Sequence, residues 1–161
     1  MAPLTQPYRP TTQLVAVAWL VARVPEFTAA MVGGALPKET SKWAATGFVQ
    51  ASPVLSGSPN VDIPVRKPII QIDLWGTANT SDTASSVKPP WNLVAQLAEC
   101  LRAATEDAQT GHYGQTLAVK AGYLAARVQA AYLVTEPMRI DNDPSGYARF
   151  SADLAIDWTP A

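Results

Sequence analysis

The sequence predicts a single α+β domain, a mostly antiparallel β-sheet with helices packed against it. Three stretches carry that prediction. In residues 69–75, Ile70, Ile72 and Leu74 alternate with Gln71, Asp73 and Trp75, the two-residue period of a strand. Residues 147–158 alternate in the same way, with Phe150, Ala152, Leu154, Ile156 and Trp158 set against Arg149, Ser151, Asp153 and Asp157. Between them, residues 91–105 place Leu93, Leu97 and Leu101 on one helical stripe with Val94 beside them, so this helix should lie on the sheet.

The remaining elements follow in chain order. Residues 1–11 hold three prolines and read as an extended arm, leaving 12–161 as the domain. Thr11 and Thr12 can cap a helix through 14–24 that Pro25 stops. That helix is apolar on all sides apart from Arg23, which suits burial in its own core or against a neighbouring subunit. Residues 27–32 suggest a short helical turn closed by Gly33 and Gly34, and 47–52 a strand. Loops are expected at 54–64 and 77–88, where turn formers and small polar residues bury little apolar surface. Pro89 and Pro90 open the second helix, because a missing N–H costs nothing in its first turn.

Residues 123–136 send two signals. Their alanines favour helix, whereas Leu124, Val128, Tyr132 and Val134 share one strand parity and no helical cap is visible. The strong turn at Asp141-Asn-Asp-Pro-Ser-Gly146 tips the reading to a long antiparallel hairpin over 123–158.

Composition narrows function. Charged residues make up 16% of the chain, against about 25% in ordinary domains. Of the 161 residues, 27 are Ala and 14 are Pro. A formal net charge of −1 leaves no overall electrostatic footprint for gripping nucleic acid. One cysteine, Cys100, permits no intrachain disulfide and reads as a small core residue. No apolar run reaches the ~18 residues that span a bilayer, and residues 1–10 lack the pattern of a signal peptide, so no membrane role is expected.

No catalytic or metal-binding pattern stands out in the sequence. The single histidine, His112, sits between Gly111 and Gly114 in an expected loop, with no pairing that spacing can argue. Asp141 and Asp143 superficially suggest a calcium loop, but the glycine and terminal glutamate of that motif are missing, and a hairpin turn explains them better. Gly33 and Gly34 follow a helical segment, not a strand, which fails the context of a phosphate loop. Glu99 and Glu106 belong to the solvent side of the second helix. No cofactor or metal is expected. Aromatic and basic residues, with Val21 of the apolar first helix, remain as candidates for a subunit or partner interface: Trp19, Val21, Arg66, Lys67, Trp75, Trp91, Arg139 and Arg149. The four arginine and lysine positions either gather into a basic strip or are ordinary surface charge.

Two segments resemble a known family. One is Pro-Ile-Ile-Gln-Ile-Asp-Leu-Trp-Gly at 68–76, followed by a loose loop ending Lys-Pro-Pro-Trp at 88–91 and a helix. The other runs from Val134 to Trp158 through the Asp-Asn-Asp-Pro-Ser-Gly turn. With the N-terminal helix and the Gly33-Gly34, Leu36-Pro37 layout behind it, the chain resembles tail terminator proteins of long-tailed, siphovirus-type phages of actinobacteria. The resemblance covers roughly residues 12 to 158 and rests on structural patterns in order, not on a catalytic signature.

It implies a mixed sheet with packed helices, assembled into a hexameric ring at the head-proximal end of the virion tail. That ring would cap the tail tube by binding the major tail tube protein, stop polymerisation and offer a docking face to head-completion and neck proteins. Genomic DNA would pass through the lumen without sequence-specific binding. Such a protein is not an enzyme. A heterologous ring buries two different faces of each subunit, in keeping with a chain of low charge. Another head–tail joining protein of the neck is the alternative, and a small cytosolic enzyme a third.

Overall fold

The computed structural model describes residues 7–55, 65–78, 88–107 and 114–161. Of the loops expected at 54–64 and 77–88, residues 56–64 and 79–87 lie outside the described residues, as does His112. Helix α1 (Thr12–Arg23) begins where Thr11 Oγ1 accepts the Leu14 N–H at 3.3 Å, the cap expected from the sequence. It ends at Val24, ahead of Pro25. A 3-10 turn at Ala29–Met31 leads into the two-residue strand β1 (Val32–Gly33). Strands β2 (Phe48–Leu55) and β3 (Ile69–Gly76), helix α2 (Trp91–Glu106), and strands β4 (Gln115–Leu117), β5 (Ala126–Ile140) and β6 (Ala148–Pro160) follow.

The strands form one sheet in the order β1-β2-β3-β6-β5-β4, in which only the β1–β2 pair is parallel. This is the mixed, mostly antiparallel α+β architecture that the sequence predicts. Both helices lie on one face. α2 packs on β3, β5 and β6, while α1 touches β1 and β2 at one edge and β4 at the other. The sheet curls around α1, and this explains the helix's apolar girth. Val15, Ala16, Trp19 and Leu20 are buried, and Val17 and Val21 pack partly against the same core.

The core is the face shared by Ile70, Ile72 and Leu74 of β3 with Ala152, Leu154, Ile156 and Trp158 of β6, under Val94, Leu97 and Leu101 of α2. Burying a side chain of this size stabilises by about 1.5–3 kcal/mol, so these rows dominate the apolar contribution. α2 approaches the sheet where Gly76 leaves room: a Cβ there would stand 2.5 Å from Val94 Cγ2 and 3.0 Å from Pro90 Cγ.

Two expectations are corrected. The strand at 47–52 runs on through Pro53 to Leu55, so positions 54 and 55 belong to β2 and not to the loop. The parity read for 123–136 fails beyond Val128. A bulge between Val128 and Ala130 inserts one residue and shifts the alternation, so that Ala131 is buried while Tyr132 and Val134 are about half exposed, at 49% and 50%. The alanine-rich run is strand throughout β5. Its small side chains admit α2 above the sheet, and the pairing with β6 overrides their helical preference.

At the N-terminus, Tyr8 holds residues 122–124 by a parallel bridge, with Tyr8 N–H donating to Gly122 O at 2.9 Å.

Gly76→Ala is expected to destabilise the chain by about 1–3 kcal/mol through overpacking between β3 and α2. Urea unfolding of the variant against the parent measures it.

Candidate functional site

The helix-free face of the sheet carries a second cluster at the end where β5 and β6 meet. β3 alternation puts Gln71, Asp73 and Trp75 on that face, opposite the core row. Asp73 is only 4% exposed. A charge buried in a sheet needs a partner, and the β3–β6 register provides one. Arg149 sits directly across from Trp75 and reaches diagonally to Asp73. Its Nε and Nη2 donate to Asp73 Oδ1 at 3.0 and 2.9 Å, and Nη1 donates to Asp143 Oδ1 at 3.2 Å. Gln71 Nε2 donates to both Asp73 oxygens, at 3.2 and 2.9 Å.

Asp143 belongs to the turn, and so one guanidinium ties the hairpin loop to the central strand. The turn also closes on itself. The Ser145 hydroxyl and amide both donate to Asp143 Oδ2, and the Tyr147 amide donates to Ser145 Oγ at 3.2 Å. The Ser145 hydroxyl, working against the opposing effect of burial, holds the Asp143 carboxyl below its usual pKa; the Ser145 amide and Arg149 reinforce it. For Arg149, burial opposes the charged form, but the hydrogen bonds and charges of Asp73 and Asp143 outweigh it and raise the pKa.

Aromatic rings pack around this salt link. Trp43, Phe48 and Trp75 form a buried group with Tyr147 set edge-on to Trp43 and Trp75, at 5.2 and 6.3 Å between ring centroids. Trp75 Nε1 donates to Gln50 Oε1 at 3.1 Å, while Arg149 lies 5.0 Å from the Trp75 ring. On the helix side of the sheet, Arg139 stacks 3.7 Å from the Trp91 ring and its Nε donates to Asp141 at 2.7 Å. A cleft of about 360 Å³ opens between Trp91, Arg139, Asp143 and Tyr147.

The structure therefore unites four of the predicted interface residues, Trp75, Trp91, Arg139 and Arg149, at the turn end of the sheet. It separates the others from them. Arg66 pairs its backbone with Trp158 and holds its guanidinium 5.0 Å from that ring at the opposite end of β6; Lys67 beside it is exposed. No single basic strip forms. Arg139 and Arg149 are bound to three carboxylates between them, so neither presents an unpaired positive charge at this end of the sheet. Trp19 is enclosed by its own chain, at 1% exposure, leaving no ring surface for a neighbour, whereas Val21 remains partly open on α1.

Asp73, Asp143 and Tyr147 were not among the sequence candidates. A carboxylate in the middle of a strand whose only other polar side chain is Gln71 was the visible signal for Asp73. The sequence marked Asp143 only as a turn residue and Tyr147 not at all, because the contacts that join them to Arg149 and the tryptophans are set by strand register.

Elsewhere, Cys100 lies half-buried on α2, and burial first, then the charge and hydrogen bond of Glu26, push its thiol pKa up. A protonated thiol is a poor nucleophile. Glu99 and Glu106 flank Arg102 on the solvent side of α2, each 2.7 Å from a guanidinium nitrogen. Among the described residues no three His, Cys, Asp or Glu side chains gather as metal ligands, and no helix is long and apolar enough to cross a membrane. The arrangement at the turn end is chemically a clamp: it fixes a loop and presents aromatic and charged edges.

Arg149→Leu strands Asp73 without its cation and is expected to cost about 3 kcal/mol, the lower end for a broken buried pair because Arg149 is partly solvated. Adding Asp73→Leu should restore much of the loss, as read by denaturant midpoints. Asp143→Asn carries a pH signature. The folded carboxyl titrates below its unfolded value of about 3.9, so its stabilisation is complete above that pH and is lost as pH falls through the lowered folded value. The variant should be less stable than the parent at pH 7, with the gap narrowing in acid.

No family model matches the chain, and no curated protein matches it.

Proposed function

We propose that this chain is a tail terminator of long-tailed phages: a ring-forming cap that binds the last layer of tail tube protein, stops tube growth and offers its other face to neck proteins. One observation carries the reading. The two segments on which the family resemblance rests, 68–76 and 134–158, are not scattered patches but pair side by side as β3 and the β5–β6 hairpin. The Asp73–Arg149–Asp143 link then locks the hairpin turn to β3. An assembly protein needs such a stiff sheet end, because a contact geometry repeated around a ring tolerates little local motion. The aromatic and charged residues at that end suit recognition of a protein surface. On this reading the protein acts in the virion tail and takes no cofactor, and DNA passes through the ring without being read.

Tail tubes polymerised with and without the protein and imaged in negative stain test the proposal. Tubes of fixed length bearing a distinct end ring are expected. Unbounded tubes with no bound protein would overturn the terminator role, and a pull-down that instead retains a portal-side protein would assign the chain to the neck.

A further inference from the structure

Residues 8–13 touch the sheet at two separate places. One hold is made by backbone. The Tyr8 N–H donates to Gly122 O at 2.9 Å and Tyr8 O accepts the Leu124 N–H at 2.8 Å, with the Tyr8 and Tyr123 rings 5.5 Å apart. This pins the residues that lead into β5 at Ala126.

The other hold is a side chain. β1 pairs Val32 with Val49 and Gly33 with Gln50, and then leaves the ladder. At the next position of β2, Ala51 O accepts from Gln13 Nε2 at 2.9 Å, so an amide from α1 serves a carbonyl that β1 leaves without a strand partner. Gly34 gives this amide its room: a Cβ there would collide with Gln13 Nε2 and stand 2.8 Å from its Cδ.

The holds lie far apart on the sheet. Ala51 is level with Ile72 and Ala152, whereas Ala126 pairs with Pro160. On a flat sheet the two levels would be about 26 Å apart along the strands, and β2 and β5 about 14 Å apart across them. The chain from Tyr8 to Gln13 reaches about 18 Å at most. The glutamine side chain, the residues leading into β5 and the curl of the sheet make up the difference. The connection also has little give. Pro10 is buried and fixes its own φ, Thr11 Oγ1 is committed to the Leu14 N–H, and α1 begins at Thr12.

We infer that residues 8–13 form a tie that couples the β2 edge to the lead-in of β5 and so holds the curl of the sheet. A short, stiff connection passes a displacement on instead of absorbing it, and each hold keeps the effective concentration of the other high. Tyr8 is 51% exposed, so its end meets solvent and is the one that lets go first. The tie belongs to the fold of a single chain and does not depend on the terminator reading.

Hydrogen exchange on the full-length chain, read by mass spectrometry, tests it. Tyr8→Pro removes the N–H that Gly122 O receives, and Gln13→Leu removes the amide while keeping most of the bulk. Tyr8→Pro is expected to speed exchange about fivefold at 48–52, the far end of the tie, as well as at 122–126. Gln13→Leu should act in the opposite direction, reaching 122–126 from the β2 end. Gly34→Ala displaces the Gln13 amide with Gln13 itself intact and should reproduce that result. Exchange at 70–74 and 150–154, in the centre of the sheet, should stay as in the parent.

Variants that loosen only the end they touch, or neither end, would overturn the inference, because the holds would then be independent. Equal acceleration at all four segments would overturn it as well, since that marks a loss of global stability and not a tie. Circular dichroism verifies folding of each variant.

Discussion

The antiparallel register between β3 and β6 is the constraint on which the rest of the molecule depends. Eight consecutive pairs, from Ile69↔Ala155 to Gly76↔Ala148, run without a bulge. On one face this register stacks Ile70, Ile72 and Leu74 against Leu154, Ala152 and Phe150, forming the floor on which α2 lies. On the other it brings Arg149 within reach of Asp73. A slip by one residue would turn every side chain to the wrong face, stranding a carboxylate among aliphatic residues and exposing the core row. The buried pair thus acts as a register pin more than as a source of net stability.

From that fixed centre, regularity decays outward. β2 meets β3 with a single irregularity near Leu55, whereas β5 meets β6 with three. The bulges twist β5 and turn Tyr132 and Val134 out of the core. They also deny an incoming strand a continuous ladder. An exposed edge invites indiscriminate pairing, and here a glutamine side chain, two prolines and the bulges suppress it.

The low charge of the chain takes on meaning in this setting. Among the described residues, ion pairs join Arg102 to Glu99 and Glu106, Lys42 to Glu39, Arg139 to Asp141, and Arg149 to two aspartates. Stacked guanidinium groups also cover Trp91 and Trp158, so these large rings meet a cation as well as apolar atoms.

The sequence by itself determined the elements whose signals are local. Period-two alternation marked β3 and β6, a leucine stripe marked α2, Thr11 and Pro25 bracketed α1, and the turn at 141–146 fixed the hairpin. Each of these is set by neighbours within a few residues, where steric and hydrogen-bonding preferences act directly. Tertiary structure decided what depends on partners far along the chain. Ala126–Ala131 became strand because β6 offered a ladder, and the Val128 bulge then moved Tyr132 from its expected buried side to the surface. Asp73, Asp143 and Arg149 met only because three strands and a turn aligned residues up to 76 positions apart. Trp19 and Trp158 went into the core, while Trp91 stayed at the margin beneath Arg139, although all are tryptophans at element ends or on helices. Packing assigns such roles because burial is a property of the assembled faces, and no local pattern encodes which face a curled sheet will close.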